Sequence, residues 1–133
     1  MAGCFGYELD PGQISVEEKG KIKQQIWIYK KYWNLIHNGM YYRLTIPGVD
    51  MEMAAWCFVS ENKKETLVNV VSMNTHGNEP VNYIRCKGLL PDLNYQCEDS
   101  GTVYSGSVLM HVGFPVPVIM GEYHAWQKYF VVC

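Results

Sequence analysis

Three pairs of carboxylates lie close enough along the chain to be considered for acid/base chemistry. They are Glu8 with Asp10, Asp50 with Glu52, and Glu98 with Asp99. Two carboxyl groups held side by side can divide proton transfer and nucleophilic attack between them. The second and third pairs fall in Gly-containing loop or turn segments, where solvated carboxylates are the expectation. The first pair precedes Pro-Gly, which favours a structural role at a turn.

Thiols and imidazoles are the other reactive groups, and their spacing predicts neither a metal site nor a catalytic pair. The chain has five cysteines and four histidines with no Cys-x-x-Cys pair. A zinc site needs closely spaced ligands. Cys57 sits in an apolar run, where a thiol is an inert core residue, and His111 is expected on a strand. We therefore predict no catalytic residue, no metal and no cofactor, with reduced thiols typical of a cytoplasmic protein. The remaining cysteines and histidines of the chain are Cys4, Cys86, Cys97, Cys133, His37, His76 and His124.

Composition narrows the function classes further. The 133 residues carry a formal net charge of −2, with 48% hydrophobic and 18% charged residues. Nucleic-acid binding normally needs a dense basic surface, so it is not expected. No apolar run reaches the roughly 18 residues of a membrane-spanning helix, and the N-terminus lacks the pattern of a secretory signal. The apolar content is enough for one folded domain.

A long helix must come first. Ser15 and Glu18 form a capping box, and Ile22, Ile26, Tyr29, Trp33 and Ile36 recur at helical spacing. The helix is predicted to span about 23 residues, or about 35 Å, and to end at Asn38-Gly39 in a left-handed conformation. Net charge is +3 from Ser15 to Asn38, with five Lys against two Glu, and −5 over the rest of the chain. The change in charge marks a boundary near Gly39.

Short strands are predicted after this boundary. Alternating or β-branched runs are separated by clusters of Gly, Pro, Asn and Asp, which is typical of an antiparallel sheet. The pattern predicts a mainly β fold, an antiparallel β-sandwich of Greek-key type preceded by one long amphipathic helix. The predicted strands are 42–46, 54–60, 66–73, 82–87, 95–98, 107–112 and 124–133, with Glu61 to Lys64 as a turn.

The helix carries a wider apolar face than a neighbouring sandwich would cover. Trp33 is a large anchor on this face, and Trp27 is a second candidate. A strand-like run from Cys4 to Asp10 precedes the helix without a sequential strand partner. A strand followed by a helix at this place is typical of the last βα unit of a larger structure.

Several segments together resemble glycoside hydrolase family 36 α-galactosidases. Phe5 to Asp10, and then Ser15 to the end of Gln-Ile-Trp-Ile-Tyr-Lys-Lys-Tyr, resemble the end of that family's catalytic barrel. Tyr41-Tyr42-Arg43-Leu44 is similar to the start of its C-terminal β-sandwich. Further matches are Ala55-Trp56, Val59-Ser60, Lys63-Lys64-Glu65, Lys87-Gly88-Leu89, Pro91-Asp92, Tyr104-Ser105-Gly106 and Leu109-Met110. The segment from Glu122 to Lys128 follows the family's closing strand only loosely.

The resemblance implies a division into residues 1–38, the last strand and helix of a (β/α)8 barrel, and residues 39–133, the C-terminal β-sandwich. The implied parent enzyme hydrolyses terminal α-D-galactosides with retention and without a metal. Its catalytic aspartates lie in motifs upstream of this segment, so the chain alone is not expected to be an enzyme. Retaining hydrolysis needs two carboxyl groups about 5–5.5 Å apart, and none of the pairs above is assigned that role. The implied role is structural bracing of the barrel, whose missing part is the expected partner.

A free-standing carbohydrate-binding or interaction module is the alternative. Tyr95, Tyr104 and Tyr123 lie near turns and are the candidates for an exposed platform that binds galactosides. Self-association through the helix face is the alternative to a barrel partner. Tyr42, Trp56, Phe58 and Trp126 lie in strand patterns and are expected in the core.

Overall fold

Helices occupy three segments and strands eight in the part of the chain that the computed structural model describes, namely residues 4–10, 12–46, 52–73, 81–116 and 123–133. The helices are α1 (Val16–Lys31), α2 (Trp33–Asn38) and α3 (Gly106–His111). The strands are β1 (Met40–Arg43), β2 (Met53–Val59), β3 (Glu65–Ser72), β4 (Tyr83–Ile84), β5 (Asn94–Cys97), β6 (Val103–Ser105), β7 (Phe114–Pro115) and β8 (His124–Val132). The predicted fold class, mainly antiparallel β with an N-terminal helix, is confirmed.

The capping box at the start of α1 is present as predicted. Ser15 Oγ accepts a hydrogen bond from the Glu18 backbone N–H, and the Glu18 carboxylate accepts one from the Ser15 N–H. The single long helix is interrupted, however, because Tyr32 adopts φ −101° and ψ 9° between α1 and α2. The left-handed closure is wrong as well, since Gly39 is extended at φ −76° and ψ 157°. Glycine is needed there because a side chain would collide with the Leu35 carbonyl oxygen.

Six strands form one antiparallel sheet in the order β1-β2-β3-β8-β5-β6, and β4 pairs with β7 in a second, two-stranded sheet. The predicted turn from Glu61 to Lys64 joins β2 to β3, with Lys63 at φ 59°. β8 comes last in the chain but pairs with β3 on one side and β5 on the other. The last strand in the chain therefore lies between two strands that precede it in the sequence.

The inner face of the six-stranded sheet packs against the two-stranded sheet, α3 and their connections. Alternate residues of β2, β3, β5 and β8 point to this side, as a period of two requires. Tyr95 and Phe130 on these strands and Leu109 on α3 are almost wholly buried. The rest of this core is Ala55, Cys57, Val59, Val68, Val70, Ile84, Cys86, Leu89, Cys97, Phe114 and Val116.

The outer face of the same sheet packs against the N-terminal helices. Leu35 and Ile36 of α2 are buried against Phe58 of β2 and Leu67 of β3. Burying a side chain of this size contributes about 1.5–3 kcal/mol. The helix is thus a second covering layer for the sheet rather than an appendage beside a finished sandwich.

The strand predicted over residues 107–112 is wrong, because the segment forms α3. Ser105 Oγ caps this helix by accepting from the Val108 N–H, and the Gly113 N–H closes it on the Val108 carbonyl at 2.8 Å. The β-branched Val108 and Val112 favour a strand by propensity, but the Ser at the start and the Gly after the end are helix boundary residues. These local caps outweigh the propensity.

Residues 4–10 do not form the strand-like segment expected of them. Tyr7 and Leu9 are exposed, and Phe5 stacks on Tyr29 of α1 with ring centroids 5.2 Å apart. A strand needs a neighbour to satisfy its backbone groups, and no described strand lies beside this segment.

Two glycine substitutions test the role of the backbone after α3. Gly113 has φ 90°, and an added Cβ would collide with the Ile84 carbonyl oxygen, so Gly113→Ala is expected to lower the free energy of unfolding by at least about 2 kcal/mol. Gly20 lies in α1 with open space around it, so Gly20→Ala is expected to raise that energy by about 0.5–1 kcal/mol. Urea unfolding measures both changes in the free energy of unfolding. Equal changes in the two variants would contradict the conclusion that the backbone at position 113 requires glycine.

Candidate functional site

Among the described residues, the carboxylates of these pairs do not gather with one another into a group of three or more. Asp10 accepts hydrogen bonds from the Gly12 N–H and the Gln13 side chain, which confirms its predicted structural role at the turn. Glu8 is exposed. Asp50 lies outside the described residues, so its pairing with Glu52 is not assessed. The third pair, Glu98 with Asp99, lies on the turn after β5.

Glu98 of this third pair lies exposed on a turn, as predicted, and is also bound to the N-terminal helix. Lys31 Nζ donates to both carboxylate oxygens at 2.7 Å, and the Tyr32 hydroxyl donates to one of them at 2.9 Å. These two contacts hold the pKa of the Glu98 carboxyl below its usual range, the bond from Lys31 being the larger cause. The neighbouring Asp99 accepts from Lys128 of β8 at 3.1 Å. Each acid thus has its own cation.

An aromatic contact continues this junction onto the sheet. The Tyr32 and Tyr129 rings lie 5.0 Å apart, and the Tyr129 hydroxyl donates to Glu65 at 3.0 Å. Burial is the main cause that raises the pKa of Tyr129, and the Glu65 contact adds to it. The break between α1 and α2 therefore coincides with the residue that joins the helix to β8 and to the turn after β5.

The thiols and imidazoles do not form a reactive centre in the described part of the chain. Cys57 is fully buried, and burial raises its pKa to about 11, so the thiol stays protonated. His111 is exposed on α3. His76 lies outside the described residues. Among the described residues, no group of three or more His, Cys, Asp and Glu is placed to hold a metal ion.

The tyrosines singled out as a sugar platform are placed very differently from one another. Tyr95 is wholly buried, its hydroxyl donating to the Lys63 carbonyl and accepting from the Leu90 N–H, so the expectation that it is exposed is wrong. Tyr104 is half-buried and contacts Phe130 edge to face. Tyr123 is 74% exposed at φ 59°. The three do not share one surface patch of exposed rings.

A cleft of about 600 Å³ lies between α1 and the outer face of the six-stranded sheet. Ile28 of α1 and Trp56 of β2 contribute apolar walls, and Asn69 of β3 with Gln127 of β8 contributes amides. Lys31 and Glu98 line one end. Sequence reasoning placed Trp56 in the core and missed Asn69 and Gln127, although an Asn inside a β-branched strand is an unusual residue that could have drawn attention.

A second surface lies on the side of the helices away from the sheet, which we term the outward face. It is formed by Ile22, Ile26, Trp27 and Trp33. Successive helical residues are rotated by about 100°, so Ile26 points away from Ile28, and Trp33 from Leu35, whereas Trp27 lies at the side of the helix with Lys31 Nζ 5.7 Å from its ring centroid. No residue of α1 is buried, and Trp27 and Trp33 are 62% and 48% exposed. The broad uncovered helix face inferred from the sequence is therefore present.

None of the described helices combines the length and the apolar character needed to cross a membrane.

Comparison with known proteins gives one consistent result. Residues 53–130 match the model of the glycosyl hydrolase family 36 C-terminal domain. The bifunctional alpha-galactosidase/sucrose kinase of Mediterraneibacter gnavus is 49% identical over 98% of the chain, and alpha-galactosidase AgaA of Geobacillus stearothermophilus is 41% identical over 88%. The chain spans only 14% and 16% of the lengths of these two relatives.

Solved structures agree over nearly the whole chain. The galactosidase domain of the alpha-galactosidase-sucrose kinase superposes with a TM-score of 0.92 at 47% identity, covering 97% of this chain and 18% of that one. The Geobacillus stearothermophilus enzyme, in a variant form solved in complex with raffinose, has a TM-score of 0.90 at 34% identity, with the same coverage.

The ion pair between Lys31 and Glu98 predicts an acid-sensitive helix. Because the folded pKa of Glu98 is lowered, its contribution to stability is present above the unfolded value near 4.5 and is lost as the pH falls through the folded value. Melting temperatures measured from neutral pH to about pH 3 should therefore fall less steeply for Glu98→Gln than for the unmodified chain. The matched variant Glu61→Gln, on the exposed turn before β3, should keep the original slope. Identical slopes for all three chains would contradict the role of this pair.

Proposed function

This chain belongs to glycoside hydrolase family 36, whose C-terminal domain it contains, and we propose that it is the non-catalytic C-terminal part of an α-galactosidase. The proposed parent hydrolyses terminal α-D-galactosides by retaining double displacement, and this part braces the catalytic barrel. The names of the relatives support the activity of the parent. The small fraction of their length that this chain matches supports the view that the catalytic aspartates lie in the remaining part.

The outward face of the helices is the observation that carries the bracing role. Large apolar side chains exposed together rarely persist on a surface unless another surface covers them. Trp27 and Trp33 are the most exposed side chains of this face, and α2 is fixed to the sheet by Leu35 and Ile36. A helix held on one side and apolar on the other can transmit the position of the sheet to a neighbouring barrel.

The state of the carboxylates supports the assignment of a non-catalytic part. Glu98 and Asp99 are engaged by Lys31 and Lys128, and Asp10 is engaged by its own turn. A retaining glycosidase needs one carboxylate free to attack and a second carboxyl group to protonate the leaving group. We infer a cytoplasmic setting for the parent, which agrees with five cysteines that are all free thiols, every one within the described ranges.

A chimaera tests the bracing role directly. The Mediterraneibacter gnavus relative, truncated before the segment that this chain matches, is expected to lose soluble α-galactosidase activity, and fusion of this chain in place of that segment is expected to restore it. The variant Ile26→Glu places a charge on the outward face and should abolish the restoration, whereas Val103→Glu on the exposed edge strand should not. The 133-residue chain alone is expected to show no turnover of an aryl α-galactoside. Measurable turnover by the purified chain would overturn the non-catalytic assignment.

The isolated chain is also expected to self-associate through the outward face. Light scattering of the unmodified chain should show a mass above that of a monomer. The double variant Trp27→Ser, Trp33→Ser should have a mass closer to that of the monomer, because the change removes the two largest exposed rings. Replacing the exposed Tyr83 and Val81 by Ser, in and beside the two-stranded sheet, is the matched control and should leave the mass unchanged. A monomeric unmodified chain would contradict this prediction.

A further inference from the structure

The floor of the cleft under α1 is a row of side chains that crosses three paired strands. Trp56 of β2 is opposite Asn69 of β3, and Asn69 is opposite Gln127 of β8. All three side chains therefore lie on the same, outer face of the sheet. The neighbouring row, which contains Phe58 and Leu67, is covered by α2. The helix thus seals the apolar row and leaves the row of one indole and two amides as the wall of a cleft.

One polar group in this row has an unmet hydrogen bond. Asn69 is 3% exposed, and its Oδ1 accepts from Gln127 Nε2 at 2.7 Å. Its Nδ2 is buried and has no acceptor within the described part of the chain. Buried polar groups are nearly always paired, and an unpaired one costs the chain its desolvation energy. A ligand oxygen that accepted from this nitrogen would recover that cost.

The charges at the end of the cleft are already compensated. Lys31 is paired with Glu98, and Lys128 is paired with Asp99. Two cations and two anions in direct contact leave no excess charge for an ionic ligand to neutralise. The cleft therefore favours an uncharged ligand over a phosphate, a nucleotide or a charged peptide.

The backbone of the floor excludes recognition by strand addition. β3 is paired along its length with β2 on one side and β8 on the other, so its main-chain groups are used. A peptide strand binds by adding to a free sheet edge. The floor of the cleft therefore offers side chains rather than free backbone groups, among them the Trp56 ring and the amides of Asn69 and Gln127.

We propose that this cleft binds an uncharged saccharide, with one face of a sugar ring against Trp56 and its hydroxyl oxygens on the amides of Asn69 and Gln127. The cleft volume of about 600 Å³ lies within the range of small-molecule sites. Asn69 Nδ2 is covered, so in the proposed complex the half-buried Gln127 side chain moves and gives up its bond to Asn69 Oδ1, which the sugar hydroxyls must replace. The site is separate from the outward face, so its failure would leave the bracing role intact.

Titration followed by nuclear magnetic resonance tests this site. The 15N-labelled 133-residue chain is titrated with raffinose, which a structurally similar enzyme binds in a variant form, and separately with sucrose, which lacks the galactosyl unit. We expect the side-chain amide signals of Asn69 and Gln127 to shift saturably at or below tens of millimolar raffinose. A shift with both sugars supports a saccharide site, and a shift with raffinose alone supports one selective for galactosides. No saturable shift, or an equal shift with glycerol, would overturn the proposal.

Variants assign the response to the row itself. Trp56→Leu and Gln127→Ala are each expected to raise the Kd for raffinose about fivefold or more, and Asn69→Leu is expected to abolish the shift at Gln127. Asn94→Leu is the matched control, because Asn94 is exposed on β5 and does not line the cleft. Melting curves verify that each variant is folded. Unchanged Kd values in folded Trp56→Leu and Gln127→Ala would reject this cleft as the site.

Discussion

Strand β3 is buried on both faces, and the rest of the structure follows from that constraint. Five consecutive residues, Thr66 to Val70, are almost fully inaccessible. A strand of this kind must be covered by a layer on each side, because alternate side chains point to opposite faces. The two-stranded sheet with α3 supplies one layer, and the N-terminal helices supply the other. The helix is therefore required by the sheet itself, independently of the bracing role that we propose for it.

The N-terminal helices contact the sheet on one side and present exposed apolar side chains on another. Leu35 and Ile36 are used on the sheet, and Trp27 and Trp33 remain on the outward face. The Tyr32 break directs the short α2 onto the sheet while α1 departs from it and forms the roof of the cleft. The bracing role that we propose and the saccharide cleft thus use different sides of the same element.

The charged residues between the N-terminal helices and the sheet fix the geometry of that junction and do not form a reactive centre among the described residues. Lys31 and Tyr32 both bind Glu98, and the adjoining Tyr129 binds Glu65, so the charged groups at this end are consumed by structural contacts. Partly exposed pairs of this kind contribute little energy individually, but they fix the position of the side chains that make them. The row of Asn69 and Gln127 is different, because it keeps a polar group that no described protein group satisfies.

Local signals in the sequence determined the local structure of this protein. The capping box at Ser15, the turn from Glu61 to Lys64 and the apolar, β-branched runs of β2 and β3 depend on residues within a few positions of one another, and all appear as predicted. The strand predicted over residues 107–112 is wrong because the Ser before α3 and the Gly after it favour a helix more strongly than the β propensity of the segment favours a strand. Tertiary structure alone decided that Lys31 meets Glu98 across 67 residues of chain, that Tyr95 is buried, and that Asn69 lies beside Trp56 and Gln127. These contacts depend on β8 entering the sheet between β3 and β5, and no periodicity in the chain encodes which distant strand will be its neighbour.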